Sequence, residues 1–339
     1  MLQSSSDTTL YTIPVVFVVY HLGEPVGTET NLPDAALQAA IDTLNKYYAG
    51  RFSGEAHGID TKIRFALARR SPSCAPSTGI VRVDASNVPG YRQDGLDLAD
   101  GQKATQLRNL LPEYANQLSD GFITVRVMSY LSGPGGTKAF ALYGGNIYMA
   151  FYTLLSNYYS FSSETSILAH EMGHSLNLRH TFEGSTYPNS TDGCPYNGDP
   201  LIDGDQVADT DPHRMYEPGD GCNPAVEGQI NPCTGRPFGL IGRNFMSYSS
   251  CQRLFTPGQL TRMRDYLATS NLTTSYYLTP VQPNDGLATA CIPTFTKAQE
   301  FYVEGVWSVR FGQIHKARVT SPLNWERITL ITVVGTGPP

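Results

Sequence analysis

The chain lacks a basic cluster, a CxxC pair, and any apolar run near the roughly 20 residues that a membrane-spanning helix requires. Its formal net charge is −6, and only 16% of its residues are charged. That balance argues against nucleic-acid binding, which needs a basic stripe or patch. Val15 to Tyr20 is apolar but short, and its β-branched residues suit a buried strand. Met1-Leu2-Gln3-Ser4-Ser5-Ser6 has neither the basic start nor the apolar core of a signal peptide. Without CxxC spacing, zinc ligation by the six cysteines is the weaker reading, and disulfides in an oxidising compartment the stronger. A secreted or extracellular protein is therefore expected, cut from an exported precursor whose signal and propeptide are absent from this chain.

What is present fits a loop-rich globular protein: 40% hydrophobic residues, 20 Tyr, 32 Gly and 23 Pro. A length of 339 residues has room for one large domain and a small one. The text changes near 275. Residues 1–275 are expected to form the main domain, and 276–339 a small β-rich C-terminal module or part of one.

The most informative stretch is His170-Glu171-Met172-Gly173-His174-Ser175-Leu176-Asn177-Leu178-Arg179-His180, an HExxHxxNxxH pattern. Histidines four apart lie on one helix face about one turn from each other, so both can reach a single metal ion. The Glu beside the first is placed to act on water at that metal. A third ligand at His180 makes a further demand. On a straight helix it would lie about 9 Å along the axis from His174, on another face. The helix must stop near Asn177 and the chain must reverse. Asn is the non-glycine residue that best tolerates the left-handed conformation this needs. His170, His174 and His180 are thus the expected ligands of one Zn²⁺, with a coordination position left open as in catalytic sites. Glu171 is the expected general base, then acid. One rival takes a downstream Glu as the third ligand, Glu183 being the nearest. Another is a non-catalytic zinc-containing binding or adhesion module.

The pattern resembles the metzincin metallopeptidases, whose motif is HExxHxxGxxH followed by a methionine-containing turn. Asn177 stands where that family usually has Gly, and Arg243-Asn244-Phe245-Met246-Ser247-Tyr248 looks like the turn. Four flanking segments resemble the pappalysin family, including its ulilysin-like bacterial branch. They are Ile13 to Tyr20, His180-Thr181-Phe182-Glu183-Gly184, Val207-Ala208-Asp209-Thr210-Asp211 and Phe255-Thr256-Pro257-Gly258-Gln259. The resemblance runs from about residue 10 to about 270. It implies an α+β metzincin-like catalytic domain: a twisted mixed sheet, an active-site helix and an irregular lower subdomain.

It further implies a secreted zinc endopeptidase, monomeric, that binds protein or peptide substrates in extended form along the edge of the strand at 145–151. Met246 would floor the metal site, although a buried Met is ordinary core. Tyr248 would stabilise the oxyanion, with a purely structural Tyr as the alternative. Structural Ca²⁺ is implied in the acidic loop, with Asp203, Asp205 and Asp209 as candidate ligands; a solvated acidic loop is the plainer reading. By family pattern the disulfides would be Cys194–Cys233 and Cys222–Cys251, with Cys74 and Cys291 left over.

Residues 13–21 read as a buried strand, and the pattern further along places a helix from Pro33 to Tyr48, strands at Ile63–Leu67 and Phe122–Val127, a short helix near 102–118, and a last helix from Thr256 to Leu267. Ser163 is the expected N-cap of the helix carrying the zinc motif. Residues 181–242, rich in Gly, Pro, Asn and Asp, read as one long loop, a kind usually functional or pinned. His213, like His21, His57 and His315, shows no ligand spacing.

Overall fold

The structure, a computed structural model, describes residues 9–51, 58–97, 100–114, 121–154, 166–185, 193–215, 228–280, 308–310 and 313–316, less 74, 98–99, 135, 142–145, 250, 271 and 273–274. Its spine is β1, Tyr11–His21. Along this strand Ile13, Val15, Phe17 and Val19 enter one hydrophobic cluster, and Val16, Val18 and Tyr20 enter another. A strand buried on both faces must be apolar at nearly every position, which is why β1 reads as a continuous apolar run.

One edge of β1 pairs in parallel with β2 (Ile63–Leu67) along its first half and with β3 (Ile80–Asp84) along its second. The other edge takes β4 (Ile123–Met128), which pairs in parallel with β6 (Ile147–Ala150). Last comes β5 (Ala139–Ala141), antiparallel to β6. The strand order is β2-β1-β4-β6-β5, a mixed sheet in an α+β domain. Residues 145–151 were expected to offer the open edge, and this is corrected. Ile147 and Met149 pair with Val125 and Val127 on one side and with Ala141 and Ala139 on the other. The terminal strand is β5.

Helix α1, Asp34–Tyr48, lays Leu37, Ala40, Ile41, Leu44 and Tyr48 on the sheet, a stripe at helical spacing. Helix α2 is the short Tyr91–Asp94. Helix α3 spans Gly101–Asn109 and is capped by Asp100, which accepts from the amides of Gln102 and Lys103. It stops short of the expected 118 because Pro112 cannot continue the helix and disfavours it in the residue before; a single 3₁₀ turn, Pro112–Tyr114, follows.

The motif-bearing helix α4, Ile167–Ser175, lies under the sheet with Leu168, Ala169 and Met172 in the same cluster as α1. Helix α5, Pro257–Thr269, is the last of the main body. It opens on a capping box in which Thr256 and Gln259 satisfy each other's backbone amides. Residues after 275 still dock on the sheet end. Arg69 N donates to Tyr277 O (2.6 Å), and Arg70 donates to Thr279 O and Pro280 O (2.9 Å each). Further on, β7 (Ser308–Arg310) and β8 (Gln313–Lys316) form an antiparallel hairpin. The rest of the expected β-rich part, 281–307, 311–312 and 317–339, lies outside the described residues. No helix among the described residues is long and apolar enough to cross a membrane.

Candidate active site

Helix α4 begins at Ile167, and the residue before it, Ser166, turns its hydroxyl to Gln252 Oε1 (2.8 Å) instead of capping the helix. Ser163, the expected cap, lies outside the described residues. At the other end Leu176 closes the last turn, and Asn177 adopts φ +70°, the left-handed region. The chain reverses there, and Leu178 N donates back to Gly173 O (2.9 Å). This reversal carries His180 back toward the helix.

Three ring nitrogens then converge. His174 Nε2 lies 3.1 Å from His170 Nε2 and 3.1 Å from His180 Nε2. His170 and His174 are buried; His180 is partly open. The Nδ1 of His170 faces Phe245 O at 2.6 Å, and that of His174 faces Leu178 O at 2.9 Å. A carbonyl can only accept, so each Nδ1 carries the proton and each Nε2 presents a bare lone pair. Burial, reinforced by the neighbouring imidazoles, holds His170 well below its ordinary pKa and His174 down to about 4, so both are neutral.

Neutral imidazoles with lone pairs turned on one another repel unless a cation sits among them. A tetrahedral zinc with Zn–N bonds near 2.0–2.1 Å would set its ligand nitrogens about 3.3 Å apart. The donor set therefore fits zinc. No other group of three His, Cys, Asp or Glu side chains converges in this way among the described residues.

Around this centre lie groups that hold the ligands. Glu183, next in line as an alternative third ligand, instead faces the far side of His180, with Oε2 3.7 Å from Nδ1, ion-pair rather than hydrogen-bond distance. The His180 imidazole holds the Glu183 carboxyl below its usual range. The ring of His180 is stacked on Phe182, with centroids 4.8 Å apart. Glu171 is buried, and burial pushes its carboxyl up to about 8; a cation nearby acts in the opposite direction.

The turn at 244–248 closes the site from below. Met246 is fully buried, and its sulfur occupies the space that a Cβ on Gly173 would need. Glycine in mid-helix costs about 1 kcal/mol against Ala; here close packing against Met246 accounts for it. Asn244 Oδ1 accepts from Met246 N (2.8 Å), and Asn244 is locked to Gln259 of α5 by a reciprocal pair of amide bonds (2.8 and 3.0 Å). Gln252 donates to Ser247 O. Tyr248 is exposed at 37%, its ring 4.9 Å from that of His180 and 5.8 Å from that of His170.

The sequence pattern alone singled out neither Asn244 nor Gln252. Gln259 entered the sequence reading only as the end of the segment Phe255-Thr256-Pro257-Gly258-Gln259, with no role of its own. His213, set aside as ordinary, is fully buried: Thr181 Oγ1 lies 2.8 Å from its Nε2 and Arg214 O 2.7 Å from its Nδ1. It thus braces the residue after His180. With no spacing to a ligand motif, only the structure reveals it.

The acidic loop behaves differently. Asp203, Asp205 and Asp209 are not gathered about one point. Asp203 Oδ2 accepts from Asp199 N (2.9 Å). Asp205 is buried and accepts from Thr210 Oγ1 (2.6 Å) and Val207 N (3.1 Å). Asp209 accepts from Thr256 Oγ1 (2.6 Å) and Gly258 N (2.7 Å), capping α5 from outside the helix. A disulfide joins Cys194 to Cys233 around this loop. Cys251 is also disulfide-bonded, while Cys222, Cys74 and Cys291 lie outside the described residues.

Comparison with known proteins gives this geometry a family context. The peptidase family described as pregnancy-associated plasma protein-A matches residues 141–268, the stretch that holds all three histidines and the Met246 turn. Human pappalysin-1 is 32% identical over 114 residues, covering 33% of this chain and 7% of that protein. An extracellular metalloprotease of Aspergillus oryzae is 38% identical over 97 residues, 28% of this chain and 25% of the relative. The chain thus spans a quarter or less of the length of these relatives. Among solved structures, mature mirolysin of Tannerella forsythia in complex with a cleaved peptide superposes with a TM-score of 0.55 at 21% identity, covering 76% of this chain and 91% of that one. Mirolysin in complex with compound 9 gives 0.58 at 22% identity, covering 80% and 100%. The structural likenesses show a fold shared with mirolysin.

Proposed function

We propose that this chain, whose residues 141–268 belong to the pappalysin peptidases, is a secreted zinc-dependent endopeptidase. The observation that carries this reading is the convergence of three imidazole Nε2 atoms, two of them on rings whose Nδ1 proton is turned to a carbonyl, beside a buried carboxyl. Zinc held there supplies Lewis acidity, which acidifies water and polarises a carbonyl. His170, His174 and His180 hold the ion, and main-chain carbonyls hold two of the three rings in the tautomer that binds it. Glu171 takes a proton from the attacking water and returns it to the leaving amine. Tyr248 reaches in from the exposed rim, where its hydroxyl steadies the negative charge that develops on the carbonyl oxygen. Met246 forms the apolar floor.

The substrate is a peptide in extended form. The terminal strand β5 packs against α4, so a chain added along its outer edge would run beside the metal-binding helix. Support comes from mirolysin, solved with a cleaved peptide, and from the relatives named extracellular metalloproteases. A structural calcium ion in the acidic loop would draw on main-chain carbonyls and water as well as single carboxylates, since the three Asp candidates do not converge. Residues 276–339 are proposed as a separate β-rich part, joined through the segment that ends near Pro280.

Digestion of a peptide library, read by mass spectrometry, tests the reading. Cleavage is expected, lost with a zinc chelator and restored by added zinc. Intact peptides under all three conditions would favour a zinc-containing binding module instead.

A further inference from the structure

We propose that Arg262 of α5 is the positioning residue for the turn that brings His180 to the metal, acting through a two-point grip on Asn177. The inference rests on the zinc reading above.

Its Nε donates to the Asn177 main-chain carbonyl at 2.7 Å, and its Nη2 lies 3.5 Å from Asn177 Oδ1. Asn177 is the residue at φ +70° on which the whole reversal turns. A glycine there would adopt this conformation freely but would offer only a carbonyl. Asparagine adopts it less readily, yet presents a second acceptor, and the rigid guanidinium fork suits two acceptors on one residue. The pair Asn177–Arg262 thus accounts for asparagine at a position where glycine is the simpler choice.

The placement on α5 strengthens the case. Gln259, one helical turn before Arg262, is locked to Asn244 and through it to the Met246 amide. Two residues on one stripe of α5 therefore fix both backbone turns that frame the site, one above and one below. Arg262 is also backed by the acidic loop: its charge acts on the buried Asp205 carboxyl. The same loop is tied to the start of α5 through Asp209. His180 follows Asn177 by three residues, so a loosened turn moves the third ligand while His170 and His174 stay fixed on α4.

The test is zinc affinity of the purified full chain, measured by competition with a chromogenic chelator, for wild type, Arg262→Ala, Arg262→Lys and Asn177→Gly. Thermal melts establish that each variant is folded at the assay temperature. Arg262→Ala is expected to weaken zinc binding about tenfold, the low end of what losing an outer-shell partner causes. Arg262→Lys should recover part of that through the carbonyl alone, and Asn177→Gly should show an intermediate loss. With zinc saturating, kcat should fall in Arg262→Ala while KM holds. Folded Arg262→Ala with wild-type zinc affinity would overturn the proposal. If that variant does not fold, wild-type affinity in both Arg262→Lys and Asn177→Gly would overturn it equally. A wild-type chain that binds no zinc would end the zinc reading itself, whereas zinc-binding wild type with unaffected variants ends only the role given to Arg262.

Discussion

In residues 170–180 three histidines turn their free nitrogens toward one point, and each fixed ring spends its other nitrogen on a carbonyl. In residues 199–211 the aspartates do the reverse: Asp203, Asp205 and Asp209 point to separate amides and hydroxyls and meet nowhere. Both segments are rich in residue types that bind metals. What separates them is where their backbone hydrogen bonds go. Helix α4 satisfies its own backbone, which leaves the side chains free to face a ligand. The loop has no ladder of its own, so its carboxylates serve as backbone acceptors. An acidic loop that is stapling itself together looks, residue by residue, much like one waiting for an ion.

The contrast can be broken most sharply at Glu171. Glu171→Ala should leave zinc bound and the fold intact while peptide cleavage falls by about 10²–10⁴-fold, the range expected for losing a general base. Metal content by atomic emission and initial rates on one peptide check it. Near-wild-type rates would remove Glu171 from the chemistry.

Next in size is Gly173→Ala. The added methyl meets the Met246 sulfur, and overpacking of this kind costs about 1–3 kcal/mol, partly offset by about 1 kcal/mol of helix propensity. Chemical denaturation measures it, and Met246→Ala in the same background should relieve the strain.

On the loop side the effects should fall on stability and spare the metal. Asp209→Ala removes the acceptor for Thr256 Oγ1 and Gly258 N, at a cost of about 1 kcal/mol as for a lost helix cap, with zinc affinity unchanged.

A pH dependence is expected at Asp205. Burial pushes this carboxyl up to about 7, above its unfolded value of about 3.9. The folded state therefore holds the proton more tightly. The resulting stability is fully present below about pH 4 and is lost as pH rises through about 7. Asp205→Asn does not titrate, so the melting temperature of the variant relative to wild type should rise between pH 5 and pH 8. A difference that stays flat with pH would show that Asp205 is ionised throughout.

The same contrast explains what could be read in advance. The i, i+4 pair His170 and His174 has its geometry set by the helix, so two of the three convergent nitrogens follow from spacing alone. The third followed from a necessity: His180 could reach the others only if the chain reversed, and Asn177 stands at φ +70°. The stripe of α1 was legible from its period, and buried β1 from its unbroken apolar, β-branched run. The order of β5 and β6 was not. A three-residue strand gives almost no periodic signal, and its antiparallel return moves the free edge away from 147–150. Nor were the supports Gln252, His213 and Arg262 visible, because each reaches its partner across a long stretch of chain that no local pattern encodes.

The central claim is that one ion is held by the three imidazoles at 170, 174 and 180. X-ray absorption at the zinc edge, on protein loaded with one equivalent of metal, tests it most directly. The expected spectrum shows nitrogen and oxygen neighbours near 2.0–2.1 Å with the outer scattering of about three imidazole rings, falling to about two in His180→Ala. Sulfur at about 2.3 Å, or a His180→Ala spectrum identical to wild type, would contradict the account.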